Sequence, residues 1–348
     1  MVVKEFRQLR RDRRTVALMV AMPLLLLVVF GYAASFDVDH VTAIVVGEDA
    51  ERIASQLPEF FAVEGVDASA GRQQAFEDLQ AGVADAAFVT GSDPEVLLDG
   101  SLLFSARAAV SVLAQAPQLP PPTVLFNPGL DTSAVMVPSI AGLILVFIGT
   151  LITSLGVVRE RQTGTLEQLA VMPLRPRDVF VGKIAPYFLV AAVDMVVVLS
   201  VGAWLFDVPF AGSVGLFAVG AVLFLFVTLG LGVLISTVSE NQGQAVQMAM
   251  MTLLPQVLLS GMIFPLESMA ASVRWIAYVL PLTYFIDIAR SIMVRGAGLD
   301  AVVFPMAMLG VLGLAVFSLA IVRFRRDLAP SPRSSHRRRA AQSHPVGA

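Results

Sequence analysis

Three polar side chains stand in stretches of chain otherwise suited to hydrocarbon: Asp194, Gln247 and Gln256. An ionised carboxylate in such a setting is costly unless it is solvated or paired. Asp194 therefore has two readings. It is a cavity-lining acid that attracts a cationic or amphipathic solute, or it is a protonated or hydrogen-bonded residue that holds helices together. The glutamines, with Pro255 beside Gln256, suit helix packing or the wall of such a path. No covalent or metal chemistry can be assembled. The chain has no cysteine, which excludes thiolate metal sites and a cysteine nucleophile. Of its three histidines, two fall in the last fifteen residues and His40 stands alone, so neither a nucleophile with its base nor a metal set converges.

The elements that position these groups are apolar. The 348 residues are 56% hydrophobic and 15% charged, with a mean hydropathy of +0.77, too apolar for a soluble protein of this length. A hydrocarbon core about 30 Å thick takes about 20 residues of helix. Six stretches meet or approach that length: residues 16–34, 136–158, 184–206, 213–238, 245–264 and 301–322. A shorter stretch, 275–289, is interrupted by Pro281 and contains Asp287. It reads as part of a re-entrant or interfacial segment. Basic residue, apolar run and small residues at 33–35 also fit a cleaved signal peptide, but the run is long for one, which favours a retained anchor.

Charge sets the orientation. Of 24 Lys and Arg residues, 18 lie in 1–15, 159–183 and 323–348. This bias predicts both termini and the 159–183 loop in the cytoplasm of a multi-pass inner-membrane protein. Between Asp37 and Asp131, fifteen acids face three arginines, a net charge of −12. The near-neutral total of −3 thus hides two opposed populations.

Residues 35–135 are expected to form an extracytoplasmic α/β domain. The β-branched run 41–46, then 60–66, 85–90 and 123–127, read as strands, and 50–57, 72–81 and 103–114 as helices. Its acidity is expected to be a solvated surface. The fold class that follows is an all-α polytopic membrane protein of six transmembrane helices, with this small domain between the first and second. The tail 323–348 reads as disordered, its Arg337–Arg339 run resting on anionic lipid rather than on nucleic acid.

The loop RERQTGTLEQLAVMPLRPRDVFVGK at 159–183 puts Leu166, Leu169 and Ala170 on one stripe of a short helix that Pro173 and Pro176 stop. Such a helix can lie on the membrane surface or dock into a soluble partner. Together with KEFRQLRRDRR entering MPLLLLVVFGYAASFDV, GKIAPY, GLGVLIST at 230–237, LLSGMIFPLESM at 258–269 and LPLTYFIDIARSIMVRG at 280–296, this loop resembles the permease subunits of type-2 ATP-binding cassette (ABC) exporters. The resemblance covers nearly the whole chain.

It implies that Arg159, Glu160, Arg161, Gly164, Thr165, Glu167, Pro173 and Leu174 form a coupling helix that docks on an ATP-hydrolysing subunit. It also implies an interfacial helix over 1–15 and an external re-entrant hairpin over 265–296. The chain has no G-x-x-x-x-G-K-[ST] loop, since Gly182–Lys183 runs into Ile184. ATP and Mg are therefore expected in a separate ABC ATP-binding subunit, with no cofactor on this chain. The expected assembly is a homodimer or heterodimer of permeases in contact with membrane lipids, exporting a hydrophobic drug, antibiotic or lipid. The reading from another class is a membrane-anchored sensor or scaffold whose external domain binds a partner without solute transport.

Overall fold

The computed structural model describes residues 38–163, 176–266 and 268–328, with the isolated positions 17, 21, 23 and 24. The expected interfacial helix 1–15, nearly all of the first span at 16–34, loop residues 164–175 and the tail beyond 328 lie outside the described residues.

The α/β domain runs β1 (Val41–Val46), α1 (Ala50–Ala54), β2 (Phe61–Asp67), α2 (Arg72–Ala81), β3 (Ala86–Val89), β4 (Glu95–Asp99), α3 (Leu103–Leu113) and β5 (Pro122–Leu125). The sheet order is β2-β1-β3-β4-β5, with only the β3–β4 pair antiparallel. Side chains alternate across a strand. Val41, Ala43 and Val45 accordingly pack with α1 and α3 on one face, while Ile44 and Val46 pack with Ala75 and Leu79 of α2 on the other. Burial on both faces is why the VTAIVV run has no polar alternation. β4 gives little signal in sequence, having three consecutive apolar residues between Pro94 and Asp99. It is nevertheless an interior strand, joining β3 to β5.

The helical part comprises α4 (Thr132–Gln162), α5 (Pro176–Phe206), α6 (Val214–Val238), α7 (Gln242–Leu259), α8 (Ala271–Ala277), α9 (Pro281–Ala289), a π-helical turn (Arg290–Val294) and α10 (Leu299–Leu328). Among the described residues, four helices are long and apolar enough to cross a membrane: α4, α5 over Ile184–Phe206, α6 and α10 over Leu299–Arg323. A fifth is reached if α8 and Pro281–Val294, bent by 75°, count as one span. α7 falls outside the four because its 18 residues include four glutamines. It also ends earlier than the apolar run to residue 264 suggests. Gly261, at φ 83°, takes the left-handed conformation that closes a helix.

The helix α6 is the centre of the bundle, packed by α4, α10 and α9, with 61% of its apolar window buried against 17% for α5. Phe285 of α9 stacks on Phe224 of α6 with ring centroids 4.2 Å apart and meets Phe217 edge-on. In hydrocarbon such contacts gain from close packing, because lipid tails are as apolar as the rings.

Candidate functional site

At the end of α4 farthest from the α/β domain, the chain enters the 159–183 loop. Arg159 is exposed, and Glu160 and Arg161 are half-buried. Arg161 Nη1 donates to the carbonyl of Ser239 at 3.3 Å, and Gln242 Nε2 donates to Gln162 Oε1 at 3.3 Å. Thr163 Oγ1 donates to the carbonyls of Arg159 and Glu160. The turn between α6 and α7 is braced in turn, since Asn241 Oδ1 accepts from Gln244 N and Gln244 Oε1 accepts from Glu240 N, both at 2.9 Å. The root of the loop is therefore fastened to that turn, a role that the Glu240–Asn241–Gln242 run did not advertise in sequence. Gly164, Thr165, Glu167, Pro173 and Leu174 lie outside the described residues.

The three polar residues of the apolar stretches do not share one small site. Asp194 lies on α5, half-buried, with Oδ2 enclosed and lacking a hydrogen-bond partner among the described residues. Gln247 Oε1 is in the same condition on α7. Gln256, nine residues farther along α7, is about 13 Å up the axis and about half a turn around it. It is fully buried, and its Oε1 accepts from the backbone N of Leu282 at 3.3 Å.

That bond caps a helix from outside. Leu282 is the second residue of α9, whose first, Pro281, has no N–H to satisfy. Gln256→Leu is expected to lower stability by about 1–2 kcal/mol by leaving this buried N–H unpaired. Thermal unfolding of the purified protein checks it, and an unchanged midpoint would show that the bond contributes nothing.

At the other end of the bundle, a cavity of about 360 Å³ separates the α/β domain from the α8–α9 hairpin, with Asp85, Ser260, Asp287, Arg290, Arg295 and Phe304 in its lining. Arg295 follows the π turn and is 6% exposed. Its Nη1 is 3.5 Å from Asp99 Oδ2 at the end of β4, and its Nη2 is 3.6 Å from Asp287 Oδ1 and bonded to Ser291 Oγ. Burial pushes the Asp99 carboxyl above the usual carboxylate range, against the opposing pull of Arg295, of two hydrogen bonds from Ser101 and of Arg290. Arg72 and Glu95 form a more exposed pair at 2.7 Å, which holds Glu95 below its ordinary value. Sequence reasoning passed over Arg295. The available signal was a set of charged residues, Asp287, Arg290 and Arg295, inside an otherwise apolar run.

Residues 13–322 match the family described as ABC-2 family transporter protein. Among curated relatives, the chain is 28% identical to the probable multidrug ABC transporter permease YbhR of Escherichia coli K12, over 94% of this chain and 98% of that protein. It is 30% identical to YbhS of the same strain, a protein of the same description, over 84% and 87% of the two chains. It is also 35% identical to the inner membrane transport permease YhhJ, over 58% and 54%. The apolar bundle, the braced loop root and the match over nearly the whole length place the chain in the ABC-2 family of transporter proteins.

Proposed function

We propose that this ABC exporter permease works as one of two membrane subunits around a transport path, with a separate ATP-binding subunit docked on each at the 159–183 loop. The observation that carries the reading is the family match over residues 13–322 together with the braced root of that loop. A docking element transmits force only if its base is fixed, and Arg161–Ser239 with Gln162–Gln242 ties the base to the α6–α7 turn. Arg159, Glu160, Arg161, Gly164, Thr165, Glu167, Pro173 and Leu174 are the proposed contact set, with charges that set register and an apolar stripe that supplies area.

ATP and Mg act in the partner, and its closure shifts this bundle between states of different affinity for cargo, without which transport has no direction. The cargo class is a hydrophobic or amphipathic drug, antibiotic or lipid, supported by the multidrug description of YbhR and YbhS. Asp194, Gln247 and Gln256 are the proposed path residues, supported by an enclosed polar atom on each, Oδ2, Oε1 and Nε2 respectively, without a partner among the described residues. Both termini are placed in the cytoplasm of an inner-membrane protein on the strength of the basic-residue bias.

The test is co-purification with an ATP-binding subunit encoded beside this chain, followed by cargo-stimulated ATPase and transport in vesicles. Glu167→Arg is expected to weaken assembly and turnover about five- to tenfold. Unchanged assembly and turnover would remove the docking role. Retention of a partner by the α/β domain without solute movement would favour the anchored-sensor reading instead.

A further inference from the structure

We infer that Arg295 is a positioning residue that clasps the α/β domain to the α8–α9 hairpin, so that the two move as one body. The residues it joins are far apart in sequence, Arg295 and Asp99 being separated by 196 positions, and nothing in the chain's connectivity requires them to meet. The guanidinium is buried, although the cavity of about 360 Å³ opens beside it. Asp99 lies beneath it at the end of β4, 1% exposed, and Asp287 and Ser291 flank it from the hairpin. On the α/β side, Gly82 closes α2 at φ 75°, and a Cβ there would fall 2.5 Å from Arg295 Nη1. Gln80 Nε2 donates to the carbonyl of Arg295 at 3.0 Å and reaches that of Gly296 at 3.4 Å. Both the side chain and the backbone of Arg295 are therefore held by the domain.

The opposite side of the same segment is fastened to the bundle. Ala211 N, in the connection between α5 and α6, donates to the carbonyl of Met293 at 2.9 Å, and a Cβ at Gly212 would fall 2.5 Å from the carbonyl oxygen of Ile292. The π turn thus sits between the domain and the α5–α6 connection. A second fastening joins the domain to α4. Arg107 Nη2 donates to the Leu130 carbonyl at 2.9 Å, and Asn127 Nδ2 donates to the carbonyls of Gly100 and Asp131, both at 3.2 Å. A body held at one neck swivels, and a second fixed point away from the neck removes the swivel. The buried guanidinium and the buried Asp99 carboxylate do not let go of each other readily, because each would be left as a lone charge in a low-dielectric setting.

Gly71 and Gly298 are exposed and a Cβ at either meets nothing within 4 Å. The chain has no native cysteine, so Gly71→Cys with Gly298→Cys gives two spin labels and no others. In the full chain in phosphatidylethanolamine–phosphatidylglycerol nanodiscs, pulsed electron paramagnetic resonance is expected to give one narrow distance. Arg295→Ala is expected to broaden it into several populations. Asp99→Asn, which keeps the arginine, is expected to broaden it as well and carries the comparison if the first variant does not fold. This measurement needs no ATP-binding partner, so it is independent of the docking test above. With that partner and trapped nucleotide, the narrow distance is expected to persist. A distance that stays narrow in both variants, or that shifts on nucleotide trapping in the unsubstituted background, would overturn the clasp.

Discussion

Arg295→Ala is expected to cost about 3–5 kcal/mol of stability near neutral pH, since it leaves a buried carboxylate without its charge partner, and to cost progressively less as the pH is lowered. Asp99 is fully enclosed, and burial already holds its carboxyl above the ordinary range with Arg295 in place. Removing Arg295 takes away the largest opposing influence, leaving Ser101 and the weaker pull of Arg290, so the folded-state value rises further. A folded-state value above the unfolded one means that the folded chain binds the extra proton. Stability then falls as pH rises between the two values and recovers as pH falls towards the ordinary carboxylate range.

Asp99→Asn has no such escape. It leaves Arg295, which keeps its charge at any accessible pH, with Asp287, 3.6 Å away and 50% exposed, as its remaining ion-pair partner among the described residues. Its loss should therefore stay nearly level over the interval in which that of Arg295→Ala shrinks. Thermal unfolding of both variants and the parent, followed as pH is lowered towards the ordinary carboxylate range, separates the two slopes. Parallel curves would mean that Asp99 is not the group left stranded.

What could be read from sequence follows from the range over which each signal acts. Val41–Val46 is legible as a strand because six consecutive residues carry it, and α2 because its ends fall at Gly71 and Gly82. β4 has only Val96, Leu97 and Leu98 to declare it, and becomes a strand because β3 and β5 bracket it. The same limit applies to function. The 159–183 loop announces itself through a contiguous run of charges, a stripe and two prolines. Asp99 and Arg295 become a pair only once the chain has folded across 196 residues. Gln256 shows the converse, a conspicuous polar residue in an apolar stretch that turns out to complete the N-terminus of a neighbouring helix.

The glycines at 142, 149 and 156 recur every seven residues on α4, a spacing that fits equally a dimer seam or packing within one subunit. In the fold they face three different neighbours inside the subunit, and Gly142→Ala is expected to be the damaging substitution of the three. A Cβ at Gly142 would lie 2.5 Å from Phe285 Cδ1 and 2.9 Å from Leu282 Cδ1. Neither can withdraw, because both are fully buried and Phe285 is stacked on Phe224 and met by Phe217. The methyl must push α9 off α4, at the upper end of the about 1–3 kcal/mol that overpacking costs.

At Gly149 the nearest atom is Thr228 Oγ1 at 3.2 Å, which a few tenths of an ångström relieves. There the gain in helix propensity of about 1 kcal/mol offsets the contact. At Gly156 a Cβ would meet the hydroxyl of Tyr187 and its ring carbon Cζ at 2.8 Å, the far end of a half-buried side chain that borders a cavity of about 190 Å³ into which the ring can turn. Melting temperature and vesicle transport should therefore fall for Gly142→Ala and change little for the other two. The hairpin that Gly142 admits is the one Arg295 clasps, so the same substitution should also broaden the Gly71–Gly298 distance. An equal loss at all three positions would mean instead that the stripe packs as a unit against a second copy of the chain.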